Sequence, residues 1–231
     1  MNKKVISRLK VNSNIICYEL TIILILIIVY GYLYFNKYII LYWGDETQQV
    51  IPFFTDIYNQ IKNGSFSFWN YKIGLGASNF VHFFTMLGSP SFYIFLLLPK
   101  AELISYFIPI VDFLRFLFIA YFSYKWLEKV SSNHLAAFVG GIIFTFSGWS
   151  MYWMHFSYFL DAYLYLAIIL YLCECVLENE KKISFVVMIS LCTILSLYIS
   201  YMIIWFLFFY FNCRIFMLEK KISIKIYSKY F

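Results

Sequence analysis

The sequence predicts an all-α fold, a polytopic transmembrane helical bundle of about six spans. Three observations carry this expectation. Of the 231 residues, 63% are hydrophobic and 13% are charged, whereas soluble globular domains are about 45–50% apolar and about 25% charged. Apolar runs of about 20 residues, the length a helix needs to cross the hydrocarbon core, recur along the chain. The lysines and arginines gather in short clusters between those runs, which is how membrane topology is encoded.

The first span covers about residues 16–40. Lys3, Lys4, Arg8 and Lys10 precede it, and Lys37 can snorkel from its outer end. Its apolar core, Leu20 to Phe35, is longer than that of a signal peptide, and no small-residue cleavage site follows. It reads as an uncleaved span with the N-terminus in the cytoplasm. A large outer first loop, 41–101, comes next and holds most of the glycines and prolines. Within it Val50, Ile51, Phe53, Phe54, Ile57, Tyr58 and Ile61 recur at helical spacing, which predicts an amphipathic helix lying on the membrane surface. Val81–Leu98 is apolar enough to span or re-enter. A full crossing would put Lys125 and Lys129 outside, so this piece is placed on the outer surface.

Three further spans are expected at 103–124, 135–154 and 158–177. The last apolar stretch, Ile183 to Leu218, has 36 residues, too many for one crossing helix. A single crossing would also strand either Lys181 and Lys182, or Arg214, Lys220, Lys221, Lys225 and Lys229, on the outside. Two helices, 183–198 and 200–217, with a turn near Tyr198–Tyr201 keep both clusters inside. Residues 1–218 thus read as one transmembrane domain, and 219–231 as a cytoplasmic tail.

The formal charge of +6 does not point to nucleic acid, because the cations flank apolar runs and no RNA- or DNA-binding motif accompanies them. Cys17, Cys173, Cys175, Cys192 and Cys213 are odd in number and lie within apolar runs or at their cytoplasmic edges, which argues against disulfides. Cys173 and Cys175, two apart, point to different helix faces and do not suggest a metal site.

Chemistry concentrates in three places. Trp43-Gly44-Asp45-Glu46-Thr47-Gln48-Gln49 sets two carboxylates directly after a span, at headgroup level. A carboxylate there can serve as general base toward a hydroxyl, hold a divalent cation against a phosphate, or be an ordinary solvated charge. Asp112 and Arg115 lie near mid-span, three apart and therefore on one helix face. Charges at that depth face a cavity or a partner, so the pair reads either as structural or as a contact for a lipid-linked phosphate. Asp161 lies near the outer end of the fourth span, with His82 and His155 toward the same face, but no ligand spacing such as HExxH supports a metal.

Several segments together resemble the YfhO family of bacterial membrane proteins, which belongs among the GT-C-type glycosyltransferases. They are Gly44-Asp45-Glu46-Thr47-Gln48-Gln49-Val50-Ile51-Pro52-Phe53-Phe54; Gly64-Ser65, Trp69, Gly74-Leu75-Gly76 and Leu87-Gly88-Ser89-Pro90; Phe144-Thr145-Phe146-Ser147-Gly148 with Phe159-Leu160-Asp161-Ala162; and Ser200-Tyr201-Met202. Their order and spacing, over about residues 15–215, carry the resemblance.

The resemblance implies a GT-C-like fold in a bacterial plasma membrane, with its active site in the first outer loop. It implies a polyprenyl-phosphate-linked sugar as donor and a cell-wall or teichoic-acid-type polymer as acceptor. Asp45 matches the catalytic acidic position, and Glu46, Gln49, Arg115 and Asp161 are the expected substrate contacts. No cofactor is required by the pattern, although a divalent cation is compatible with it. Family members are longer, so the chain corresponds to their N-terminal part. A multispan transporter or flippase using Asp112 and Arg115, and a non-catalytic truncated remnant, stand as alternatives.

Overall fold

The computed structural model describes residues 3–35, 44, 46–79, 89–154 and 156–219. Within them α1 (Lys3–Phe35) is followed by a π-helical turn at Glu46–Val50 and by α2 (Ile51–Lys62). A small antiparallel hairpin, β1 (Trp69–Asn70) and β2 (Ala77–Ser78), pairs Trp69 with Ser78 and Asn70 with Ala77. Then come α3 (Pro90–Phe95), a 3-10 turn at Ala101–Leu103, α4 (Ile104–Ser131), α5 (His134–Thr145), α6 (Gly148–Trp153), α7 (Ser157–Leu177), α8 (Lys182–Leu195) and α9 (Leu197–Glu219). Five segments are long and apolar enough to cross a membrane: Ser13–Tyr32, Ala101–Ser131, His134–Trp153, Phe159–Leu177 and Leu197–Glu219. Lys182–Leu195 is a shorter apolar helix. The architecture is an all-α polytopic membrane bundle.

Helix α4 organises the packing and touches α1, α2, α3, α5 and α7. Its buried positions Ile104, Ile108, Val111, Asp112, Arg115, Phe116, Ile119, Ala120, Ser123 and Tyr124 advance by three or four residues, the spacing of one continuous face. The opposite face exposes Tyr106, Ile110, Leu114, Phe118 and Tyr121, as expected where the solvent is lipid. Helix α7 is central: 78% of its apolar window is buried, against 17% for α1. At Gly141 the α1–α5 approach is so close that a Cβ would sit 2.6 Å from the Tyr18 hydroxyl.

The expected third span, 135–154, is two helices. The chain leaves α5 at Phe146 and restarts at α6, where the Ser147 hydroxyl accepts from the Ser150 amide. A break at membrane depth is tolerated only if the released backbone groups find partners. Tyr163 Oη donates to the Phe144 carbonyl at 2.7 Å, and Ser150 Oγ donates to the Thr145 carbonyl at 2.7 Å.

The long C-terminal apolar stretch also breaks, at Ser196 rather than at Tyr198–Tyr201. Ile199, Ser200, Ile203, Leu207, Phe211 and Ile215 form one buried stripe of α9, and the apolar members join the core of α7 and α8. That packing holds 198–201 helical. The second span is longer than expected, running through to Ser131, where Ser132 in the left-handed region donates its amide to the Glu128 carbonyl. Residues 80–88 lie outside the described part; of the piece expected at 81–98, residues 89–98 form the six-residue α3 and a turn.

The amphipathic pattern at 49–61 does form a helix, but its apolar face is turned on the protein. Phe53, Phe54, Ile57 and Tyr58 of α2 join Phe92 and Phe95 of α3, Ile104, Ile108 and Val111 of α4, and Phe156 in one cluster. Tyr58 Oη donates to the Leu98 carbonyl at 2.6 Å. The loop elements therefore collect around the N-terminal half of α4.

The other end of the bundle gathers the cations. Lys129 pairs with Glu178, and His134 Nδ1 lies 2.8 Å from Glu128. Arg214 of α9 grips Glu174 of α7 with Nε and Nη2 at 2.8 and 2.6 Å. Tyr210 donates to the same carboxylate, and Trp126 Nε1 donates to Tyr210 at 2.7 Å. Tyr18, in the N-terminal half of α1, packs on Tyr124 near the same end.

Glu174 is buried and carries two partners from α9. Removing one side of a buried ion pair costs about 3–5 kcal/mol, because the other charge stays desolvated. Glu174→Ala is therefore expected to lower the melting temperature of the purified protein in detergent and to loosen α9, read as faster thiol labelling of Cys213. An unchanged melting curve would show that this pair does not fasten α9.

Candidate functional site

Two polar constellations stand out, one in the loop layer and one inside the bundle. The first is an open cleft of about 440 Å³ lined by Gln48, Gln49, Pro52, Phe53, Asp56, Lys72 and Ile73. Its position follows from the local sequence. Gly44 takes φ +108°, a region that favours glycine. The π-helical turn and α2 then present Gln48, Gln49, Pro52 and Phe53 along one wall, and the hairpin supplies Lys72 and Ile73 opposite.

Asp56 ties the two walls together. It accepts from Gln60 Nε2 at 2.6 Å, from Asn70 Nδ2 at 2.7 Å and from Lys72 Nζ at 2.6 Å. Asn79 extends the network, donating to Gln60 Oε1 at 3.2 Å and to the Ser67 carbonyl at 2.7 Å, while its Oδ1 accepts from Asn70. Burial works to raise the Asp56 carboxyl, but the three donors and the Lys72 charge outweigh it and hold the group below its ordinary value. It is ionised at neutral pH. At Gly76 (φ +113°) a Cβ would stand 2.6 Å from the Trp69 indole nitrogen, so glycine allows the hairpin to fold under that ring.

The second constellation is fully internal. Arg115 donates from Nε to Asp161 Oδ1 at 2.7 Å and from Nη2 to Asp161 Oδ2 at 3.1 Å. Its Nη1 donates to Asp112. Nη2 also donates to Ser89 Oγ at 3.2 Å, and that hydroxyl donates to Asp161. All four residues are buried. Among the described residues two carboxylates face one guanidinium. The cluster joins α4, α7 and the residue that opens α3.

The predicted site residues thus separate. Asp45 lies outside the described residues, as do Trp43, His82 and His155. Glu46 opens the π-helical turn, of which the backbone is described. Gln49 lines the cleft. Arg115 and Asp161 meet each other, together with Asp112, in the internal cluster.

The sequence reading missed Asp56, Lys72, Gln60, Asn70 and Asn79. The signal for them was the run of Asn, Gln and Lys between two apolar segments, which resembles any polar loop until the hairpin folds. Ser89 belonged to the Leu87–Pro90 segment of the family resemblance but was assigned no role.

This geometry defines a polytopic helical membrane protein with a cleft in its first inter-span segment. Among known families, the one described as bacterial membrane protein YfhO matches residues 16–231. The chain belongs to that family. No curated protein and no solved structure matches it.

Among the three internal charges, the arithmetic ranks substitutions. Arg115→Gln leaves two carboxylates without a cation. Asp161→Asn leaves one acceptor oxygen where Arg115 and Ser89 use two. Asp112→Asn leaves a one-to-one pair. Detergent melting temperatures are expected to fall most for Arg115→Gln, by a destabilisation of about 3 kcal/mol or more, less for Asp161→Asn and least for Asp112→Asn. Equal losses for Arg115→Gln and Asp112→Asn would contradict this account of the cluster.

Proposed function

We propose that the chain carries the catalytic first outer segment of a GT-C-type membrane glycosyltransferase. The donor is a polyprenyl-phosphate-linked sugar, and the acceptor is a cell-wall or teichoic-acid-type polymer. The observation that supports this reading is the cleft whose wall begins at Gln48, three residues after Asp45. It lies among the loop elements, at the end of the bundle opposite the paired cations.

In the proposed reaction an acceptor hydroxyl attacks the anomeric carbon, the bond from that carbon to the phosphate oxygen breaks, and the phosphate leaves with the electron pair. Asp45 takes the hydroxyl proton, or holds a divalent cation against the phosphate; Glu46 and Gln49 orient the sugar. With the cationic end in the cytoplasm, the N-terminus is cytoplasmic and the cleft faces outward.

The buried cluster favours a second reading, a transporter or flippase. It puts three ionisable side chains inside the bundle, where such residues often mark a transport path.

Replacing Asp45 with Asn separates the two. Glycosyl transfer in membranes, measured with a radiolabelled lipid-linked sugar, is expected to fall at least about 100-fold, while membrane insertion is unchanged. Normal transfer by Asp45→Asn sinks the assignment. Substrate movement that depends on Asp112 but not on Asp45 would favour the transporter.

A further inference from the structure

Arg115 was the sequence's candidate for contacting a lipid-linked phosphate, and the structure takes it out of that role. Each of its guanidinium nitrogens donates to Asp112, Asp161 or Ser89, and the residue is 4% exposed. An incoming phosphate would have to displace two carboxylates from the guanidinium. Repulsion and desolvation both oppose it.

Lys72 has the opposite properties. Its side chain is 76% exposed, it lines the cleft, and among the described residues it is the one cation in that lining. Its ammonium gives one hydrogen bond to Asp56 Oδ1. Asp56 shares its charge among three donors, since Gln60 and Asn70 occupy the other oxygen. Asp56 thereby holds Lys72 against the hairpin wall without claiming the whole of its field. An ammonium has three donors, so the remaining two can turn to a ligand. Gln48 and Gln49 add amide side chains to the same lining, and Pro52, Phe53 and Ile73 make the rest apolar. A cavity of about 440 Å³ lies within the usual size of a small-ligand site.

A mostly apolar cleft with two amides and one exposed cation, whose paired carboxylate Asp56 is largely covered by its three donors, suits an amphiphile with a compact anionic head. The geometry points to Lys72 as the residue that binds the phosphate of a lipid phosphate monoester, with the first part of its hydrocarbon chain on Pro52, Phe53 and Ile73. Asp56 is the positioning residue that sets the ammonium. This assignment rests on the proposed function, in which the lipid phosphate monoester is the group that leaves when the sugar is transferred, but it concerns binding alone. It can therefore stand or fall separately from transfer.

The test is equilibrium binding to the purified protein in phosphatidylcholine nanodiscs, with geranylgeranyl phosphate as probe. Lys72→Gln is expected to weaken binding about tenfold or more, the size of one lost charge-assisted contact, and Lys72→Arg to stay within about threefold of the wild type. Binding is measured without sugar donor or acceptor, so its outcome is read apart from that of transfer. Geranylgeraniol, which lacks the phosphate, is expected to bind at least about tenfold more weakly.

Unchanged binding by Lys72→Gln in a protein of wild-type melting temperature would overturn the assignment. So would equal binding of the alcohol, which would leave only an apolar groove. Inorganic phosphate binding as tightly as the prenyl phosphate would remove the chain from the site. Equal displacement by phosphatidylglycerol would replace it with a general headgroup site.

Discussion

A guanidinium buried between two carboxylates sets the terms for this fold. Arg115 cannot be left alone at membrane depth, and α4 cannot supply its full coordination. Asp112 is on the same face, but the two-point grip comes from Asp161 on α7, 46 residues away. Satisfying the charge therefore fixes the α4–α7 interface. Ser89 is drawn into the same network, so the chain that returns from the loop layer is tied to the bundle at the point where it opens α3. The loop cluster then continues along α4 through Val111, the neighbour of Asp112. The cleft wall built on Phe53 and the internal charges thus share one apolar support.

The same demand, that polar groups be satisfied where water is absent, explains the irregularities. The break between α5 and α6 persists because Tyr163 and Ser150 take up its carbonyls. Glu174 and Arg214 do for α9 what Asp161 and Arg115 do for α4, at the opposite end. Helix α8, with 14 residues, rises only about 21 Å at 1.5 Å per residue, short of a hydrocarbon core of about 30 Å. Its pairing with α9 through the shared core around α7 makes the two a packed unit.

What could be read from the residues was periodicity and charge. The apolar runs announced the long helices, the spacing of Phe53, Phe54, Ile57 and Tyr58 announced α2, and the three-residue step from Asp112 to Arg115 announced their contact. What could not be read was any partner distant in sequence. Nothing local to Asp161 distinguishes a residue that grips Arg115 from a surface carboxylate. Asp56 looks like a solvated loop charge until Asn70, Lys72 and Gln60 are folded around it. The protein partners of α2 were hidden for the same reason: a helical apolar stripe reports that it must be covered, not which residues cover it.

The proposed topology puts the loop layer that holds the cleft outside the cell, on the face of the membrane opposite Lys129 and Arg214. The most direct measurement places a cysteine at Leu75, a fully exposed residue of the hairpin, in a variant whose native cysteines are replaced. An impermeant thiol reagent is then applied to intact cells and to inverted vesicles. The account predicts labelling from the outside of intact cells. Labelling only from the cytoplasmic face would contradict it, and with it the placement of the cleft.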